Sequence, residues 1–375
     1  MMTNPSQHVL VPQGPGSDAG RAWPSVSVVI PVLNEERYIE QCLRAAMAQD
    51  YPRGLMDIVV VDGMSTDLTR EIVEVLARED RRIRLLLSPQ RRTPYSMNIG
   101  VAAATGDVLV RIDGHSIVVP DHVRQLVDYL VTAGVDHVGG VMRATGRTYM
   151  ARVIALAMSS PFGVGTARFR YTEREEDIDT VPFGAYWRRK ILELHGFDER
   201  FLIGQDSELD HRIIYSGGRV RVTPHIYTDY YCRDSLKLLW LQFYRYGRAK
   251  ALMLHKHGSL PSPRALAPAS SLLVASLLML VAPFSRPGRR ALGAGVGLYV
   301  MGSVVAGLIT AARHGWRYAP LLPAAFATLH FSHGMGFLSS LPAFLTRRPA
   351  DRMRGSLTTS SEGVAAGEQT AEVLA

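Results

Sequence analysis

Hydrophobic and polar positions divide the chain into a mixed N-terminal part and an almost wholly apolar C-terminal part. From Val26 to about Val222, short apolar runs alternate with segments whose apolar residues recur at helical spacing, the punctuation of βαβ units. Residues 26–30 form a β-branched run closed by Pro31. Asn34 then stands where it can cap a helix with Ile39, Leu43 and Met47 on one face. Residues 58–61 repeat the pattern and end at Asp62 and Gly63, with Ser65 or Thr66 as the cap and Ile72, Val73 and Leu76 along the helix. Residues 83–87 predict a third strand. Residues 107–112 predict a fourth, closed by Asp113, Gly114 and His115 and followed by a helix over 120–131. Runs apolar on both faces suit buried parallel strands, so the predicted fold class is α/β, a mostly parallel sheet flanked by helices.

Residues 265–345 contain no Asp, Glu or Lys, and their charges are two arginine clusters, Arg286, Arg289 and Arg290, then Arg313 and Arg317. The clusters leave apolar segments at 265–284, 291–312 and 319–345, each near the ~20 residues that cross a bilayer as helix. A unit of about three membrane helices is therefore expected. Ahead of it, over 236–258, Leu238, Leu239, Leu241 and Leu252 alternate with Arg245, Arg248, Lys250 and Lys256, as in an interfacial amphipathic helix whose cations meet lipid phosphates. Three full spans would carry Arg347, Arg348, Arg352 and Arg354 to the far side, against the positive-inside rule, and Arg286, Arg289 and Arg290 in the first connector are also against it. One segment, the Pro-interrupted third, is thus expected to be interfacial or re-entrant. Residues 1–25 mix Pro, Gly, Ser and Asn without an apolar run, which predicts a disordered leader and not a signal peptide. The tail over 346–375 is expected to be basic and then disordered. This places the domain over 26–235 in the cytoplasm, against the inner membrane.

Composition narrows the partners. With 47% hydrophobic and 20% charged residues, disorder as the dominant state is excluded. The net charge of +8 suits nucleic acid, anionic lipid or a phosphorylated substrate alike. Much of the excess is arginine flanking apolar segments, without the basic and aromatic interleaving of a nucleic-acid surface, so no nucleic-acid partner is expected. Cys42 and Cys232 are too few for a disulfide framework and fit a reducing compartment. Candidate chemistry lies at the strand ends, where Asn34 with Glu35, Asp62, and Asp113 fall in register on successive strands. Ligands of open parallel sheets bind there. The dinucleotide fingerprint G-x-G-x-x-G is missing after the first strand, which argues against a dehydrogenase.

The strings V-S-V-V-I-P-V-L-N-E-E, V-V-V-D-G-M-S-T-D and A-A-A-T-G-D-V-L-V-R-I-D-G-H, then G-A-Y-W-R-R-K-I-L-E-L-H-G-F-D-E-R-F, Gly204–Leu209 and Q-F-Y-R-Y, resemble in order the motifs of the family-2 glycosyltransferases with the GT-A fold. Within these the chain is similar to the ExoA-like succinoglycan-type membrane transferases, which also end in apolar helices with a stretch like H-F-S-H-G-M-G-F-L. The resemblance covers about residues 26–250. It implies a nucleotide-sugar site at Pro31, Asn34, Glu35, Asp62, Arg91, Asp113 and Gly114, with Asp62 toward the base and Arg91 toward the phosphates. The family's D-x-D reads Asp113-Gly114-His115 here, which makes Asp113 and His115 the candidate ligands of Mn2+ or Mg2+. Asp206 becomes the candidate general base, with Gln205 where the family usually has Glu and with Glu208 and Asp210 as alternatives. Gln242, Arg245 and Tyr246 match the family's Q-x-x-R-W element, where the Arg meets the diphosphate and the aromatic borders the acceptor.

The implied function is inverting, metal-dependent transfer of a hexose, from a UDP-sugar, to a lipid-linked polyprenyl diphosphate sugar in exopolysaccharide or other envelope-glycan synthesis. Membrane lipids and glycan-assembly proteins are the further partners. The alternatives are a polyprenyl-phosphate sugar synthase, a processive synthase with more helices than this chain offers, and a catalytically silent membrane scaffold. Arg168, Arg170 and Arg174 could meet an acceptor diphosphate or be solvated, with solvation the expectation, and His330 and His333 carry no assigned chemistry.

Overall fold

The computed structural model describes residues 22–260 and 262–345. The leader to residue 21 and the tail from 346, with the disorder expected of both, lie outside the described residues. The chain runs β1 (Val26–Val32), α1 (Ile39–Met47), β2 (Met56–Asp62), α2 (Thr69–Glu79), β3 (Ile83–Leu87), α3 (Thr93–Ala103), β4 (Val108–Arg111) and α4 (His122–Thr132). It continues through β5 (His137–Thr145), α5 (Tyr149–Met158), α6 (Pro161–Val164), β6 (Glu176–Asp177), β7 (Gly184–Trp187), α7 (Arg188–Glu193), α8 (Gln205–Tyr215) and β8 (Val220–Tyr231). The C-terminal helices are α9 (Leu236–His257), α10 (Ala267–Val281), α11 (Arg286–His314) and α12 (Leu322–Leu345).

Among the described residues eight strands form one sheet in the order β3-β2-β1-β4-β7-β5-β8-β6. The expected strands are the parallel ones. β1 pairs with β2 from Val26↔Met56 to Val32↔Asp62, and with β4 on its other edge. The strand order reverses there, which opens a crevice at the carboxyl ends of β1 and β4. Beyond β4 the sheet is mixed: β7 runs antiparallel to β4 and β5, while β8 is parallel to β5. One face is covered by α1 and α4 through Ile39, Leu43, Val123 and Leu126, the other by α3 and α8 through Met97, Val101, Leu209 and Ile213.

Two expected helix caps are used differently. The residues preceding α1 and α2 are Tyr38 and Leu68, and neither makes a side-chain cap bond. Asn34 instead adopts a left-handed φ of 56°, a conformation its short amide tolerates. Its backbone N–H donates to Ser65 Oγ at 2.9 Å and its Oδ1 accepts from Thr66 N at 2.9 Å. The polar residues read as caps therefore stitch the loop after β1 to the loop after β2.

The apolar C-terminal part adds a further layer. α9 begins at Ser235, whose hydroxyl accepts from Leu238 N, and lies against α12. A methyl on Gly247 of α9 would come 2.0 Å from the His333 carbonyl, and one on Gly336 of α12 would come 2.0 Å from the Tyr244 carbonyl, so the two backbones touch where only glycine fits. α12 also buries Leu322, Phe326 and Leu329 against Val153, Ile154 and Met158 of α5. Among the described residues, helices over Arg264–Val281 and Arg286–His314 are long and apolar enough to cross a membrane. They present Leu277, Leu280 and Met301 outward. The arginine cluster expected in a connector lies in the opening turns of α11, where Arg289 Nη1 donates to the Ala282 carbonyl at 3.1 Å.

Candidate active site

Arg111, the last residue of β4, is the centre of the crevice and is 4% exposed. Its Nε donates to Asp113 Oδ1 at 3.0 Å and its Nη1 to Asp206 Oδ1 at 2.5 Å, while its Cζ stands 5.2 Å from the centre of the Phe183 ring. A guanidinium fork can hold two carboxylates at once, and here it joins the strand-end acid to the acid that opens α8. Gly204 makes this possible. At φ 77° it turns the chain into α8 in a left-handed conformation that other residues adopt at a cost.

Burial raises the Asp206 carboxyl above its ordinary value; Arg111 opposes that, while Asp210 and Asp113 add to it. It is thus a stronger base than a surface carboxylate. The two alternatives on the same helix are committed elsewhere. Glu208, fully buried, accepts from Arg212 Nη2 at 2.6 Å, Lys256 Nζ at 2.5 Å and His257 Nε2 at 3.1 Å. Asp210 pairs with His137 Nδ1 at 2.6 Å and accepts from Val181 N at 3.1 Å. Lys256, expected to meet lipid phosphates, is therefore drawn inward by Glu208 and by Asp198 at 2.6 Å.

A second group of expected residues lies on the rim. Asp62 is fully buried and its carboxylate accepts from Ser65 N at 3.1 Å and from Arg70 Nη2 at 2.8 Å. The group that emerges beside it is the Arg70 side chain, 30% exposed. Pro31 sits within β1 opposite Val61. Arg91 is exposed at φ 53°, its Cα 3.5 Å from the position a Gly63 methyl would take. Gly114 links rim and centre: a methyl on it would meet Val32 Cγ1 at 2.7 Å and Glu35 Cγ at 3.4 Å. His115 Nδ1 is 2.9 Å from Glu35 Oε1, and Glu35, with a smaller contribution from Asp113, raises its basicity against the opposing effect of burial.

Among the described residues no three His, Cys, Asp or Glu side chains assemble into a metal site. A Mg2+ or Mn2+ ion carried on a diphosphate needs only one or two protein carboxylates. Asp113 supplies one, with Oδ1 on Arg111 and no partner for its other oxygen among the described residues. That donor set fits a cation held largely by the nucleotide.

Arg111, Asp113, Gln205 and Asp206 line one end of a cavity of about 1970 Å3 that also takes in Gln242, Arg245 and Tyr246 of α9. Gln242 Nε2 donates to the Tyr230 hydroxyl at 2.6 Å and to the Tyr246 hydroxyl at 2.9 Å, fixing both rings. The other end is apolar, walled by Leu272 and Leu278 of α10 and Val296 and Leu298 of α11. The lining carries seven Lys and Arg side chains against three aspartates, an excess that favours anions. Sequence reasoning missed Arg111. Its signal is a charge inside the apolar run over 108–112, a place where an unpaired arginine would be costly. For Arg170 it favoured solvation over contact with an acceptor diphosphate, whereas that side chain is 7% exposed and lines the cavity.

Comparison with known proteins agrees with this architecture. Residues 27–195 match the family model "Glycosyl transferase family 2". The succinoglycan biosynthesis protein ExoA of Rhizobium meliloti (strain 1021) is 30% identical over 329 residues, covering 85% of this chain and 96% of that protein. A dolichyl N-acetyl-alpha-D-glucosaminyl phosphate 3-beta-D-2,3-diacetamido-2,3-dideoxy-beta-D-glucuronosyltransferase of Methanococcus voltae is 30% identical over 239 residues, 62% of this chain and 74% of that one. Among solved structures, the mannosyltransferase PcManGT from Pyrobaculum calidifontis, in complex with GDP-Man and Mn2+, shares the fold with a TM-score of 0.58 at 22% identity, over 86% of this chain and 91% of that one. On a relative matched along nearly its whole length, and a family model matched through the sheet that carries Arg111 and Asp113, the chain belongs to glycosyltransferase family 2 and is a glycosyltransferase with the GT-A fold.

Proposed function

We propose that this protein moves a hexose with inversion from a nucleoside-diphosphate sugar to a hydroxyl of a lipid-linked acceptor at the cytoplasmic face of the inner membrane, in assembly of an envelope or extracellular glycan. The observation that carries the reading is the Asp113–Arg111–Asp206 bridge at the polar end of a cavity whose other end is apolar. The rim residues Asn34, Glu35, Arg70 and Arg91 bind the nucleotide, with Asp62 holding Arg70 and the Ser65 turn in place. Asp113, with the donor's phosphates, would hold Mn2+ or Mg2+, which when bound offsets charge on the leaving diphosphate. Asp206 takes the proton from the acceptor hydroxyl as its oxygen attacks the anomeric carbon. The bond from that carbon to the diphosphate oxygen breaks, and its electron pair leaves with the nucleoside diphosphate. Arg245 and Tyr246 border the acceptor. Helices α10 and α11 cross the bilayer as a hairpin while α12 stays with α9, which leaves Arg286, Arg289 and Arg290 at the far tip of the hairpin, against the positive-inside rule.

The names of two relatives support this reading: one is a succinoglycan biosynthesis protein and the other a transferase named for a dolichyl sugar phosphate. The test is nucleoside diphosphate release by detergent-purified protein across a panel of UDP- and GDP-sugars with bacterial lipid extract. Release that needs one donor, the extract and a divalent cation removable by EDTA bears the reading out. A folded protein that binds and turns over no donor defeats it.

A further inference from the structure

Three polar atoms of residues that line the cavity are buried without a partner: Arg170 Nη1, Gln242 Oε1 and, on α12, His333 Nδ1. Arg170, on the turn Arg168–Arg170, is 7% exposed, its Nη1 makes no hydrogen bond, and no carboxylate pairs with it among the described residues. The adjacent Glu176 is taken by Arg168 at 2.6 Å. Arg170 lies between rings, its Cζ 5.1 Å from the centre of Phe169 and 5.5 Å from that of Tyr230. Tyr230 is in turn bonded by Gln242, whose Oε1 is the second orphan. Arg233 lines the same cavity and acts electrostatically on the same Tyr230 and Cys232 side chains as Arg170. A guanidinium stays charged at any working pH, and burying it without a counter-charge is unfavourable, so the pocket is complete only with an anion in it. The walls say which anion. From Arg170 the cavity runs on to Leu272 and Leu278 of α10 and Val296 of α11, a path for an apolar chain toward the membrane.

We propose that Arg170, with Arg233, is the headgroup subsite for a phosphate- or diphosphate-bearing polyprenyl lipid, distinct from the donor's diphosphate at Asp113. The proposal rests on the glycosyl-transfer reading above and names its acceptor. Gln242 Oε1 then accepts from a hydroxyl of the sugar that follows the headgroup.

The probe is farnesyl diphosphate, titrated into full-length protein in detergent micelles, with farnesol, inorganic diphosphate, and UDP or GDP as separate arms. Farnesyl diphosphate is expected to bind at least ten-fold more tightly than farnesol or inorganic diphosphate, and to persist in saturating UDP or GDP. Arg170→Gln should weaken it ten-fold or more, and Arg170→Lys and Arg233→Gln several-fold each. The variants should melt as the wild type does and keep its nucleotide affinity. Inorganic diphosphate binding as tightly as the lipid would make this a free-phosphate site, and displacement by UDP or GDP would make it part of the donor site; either overturns the proposal. So does lipid binding that ignores all three substitutions. Wild-type protein that binds no nucleotide would instead defeat the transferase reading, which separates the two failures.

Discussion

Replacing Arg111 by Gln should move the pH profile before it destroys the fold. Arg111 is the counter-charge for two carboxylates whose side chains are only 17% and 16% exposed, Asp113 and Asp206. Removing one partner of a buried ion pair costs about 3–5 kcal/mol when the remaining charge stays uncompensated. Protonation relieves part of that strain, and burial and Asp113 already push Asp206 toward its neutral form. Each pKa unit corresponds to about 1.4 kcal/mol, so relief of about half the cost raises the Asp206 pKa by roughly 1–2 units. A base works only when ionised. The acid limb of kcat/KM should therefore shift upward by about 1–2 pH units, with the rate recovering at alkaline pH. Arg111→Lys should shift it less, because one ammonium keeps the charge but cannot fork to both acids. The assay is nucleoside diphosphate formation from pH 5 to 9 for the three proteins, with thermal melts alongside. A folded Arg111→Gln protein whose acid limb coincides with the wild type's would refute the role assigned to the arginine.

Other consequences follow from the same geometry. Gly247→Ala places a methyl 2.0 Å from the His333 carbonyl; overpacking of this kind costs about 1–3 kcal/mol, read as a lowered melting temperature in detergent, and an unchanged melt would deny the close α9–α12 contact. Glu208 is buried and Asp198 partly buried, which alone would raise them, but Arg212 and Lys256 hold Glu208 low and Arg200 and Lys256 hold Asp198 low. Their contribution to stability is present above about pH 4, the unfolded-state carboxylate range, and is lost as pH falls through their lower folded values. Melts from pH 6 to 3 should thus drop below pH 4, and less steeply in Glu208→Gln. Asp62→Asn weakens two charge-assisted bonds to Arg70, each worth about 1.5–3 kcal/mol. KM for the donor should rise roughly ten- to hundred-fold with kcat little changed, whereas a loss confined to kcat would show that Asp62 does not serve the nucleotide.

The legible part of this molecule is the part written in local pattern. The parallel strands, the acids at their ends and the apolar helices each announce themselves within a dozen residues, because strand burial and membrane length are properties of short windows. Asp206 was legible through a motif. What it touches was not, since Arg111 meets it across 95 residues of sequence, and pairing at that range is decided by the strand order beyond β4. Arg170 illustrates the same limit: an arginine in a charge-rich loop reads as solvated until β8 brings the Tyr230 ring against it. The role of Asn34 was also hidden, because a residue that can cap a helix can equally hold a left-handed turn, and only the neighbouring loop decides. The third apolar segment has the composition of a span, yet Gly247 and Gly336 let α12 dock on α9, a contact no hydropathy window contains.

If Asp206 is the base proposed above, sugar transfer depends on it and the donor site does not. Transfer of labelled sugar to lipid is therefore to be compared between Asp206→Asn and wild type, with nucleotide affinity measured on both. The expected kcat is reduced about 10²–10⁴-fold, the share of a positioned base, with nucleotide affinity within about three-fold of wild type. An Asp206→Asn enzyme that transfers sugar within ten-fold of the wild-type rate would contradict it.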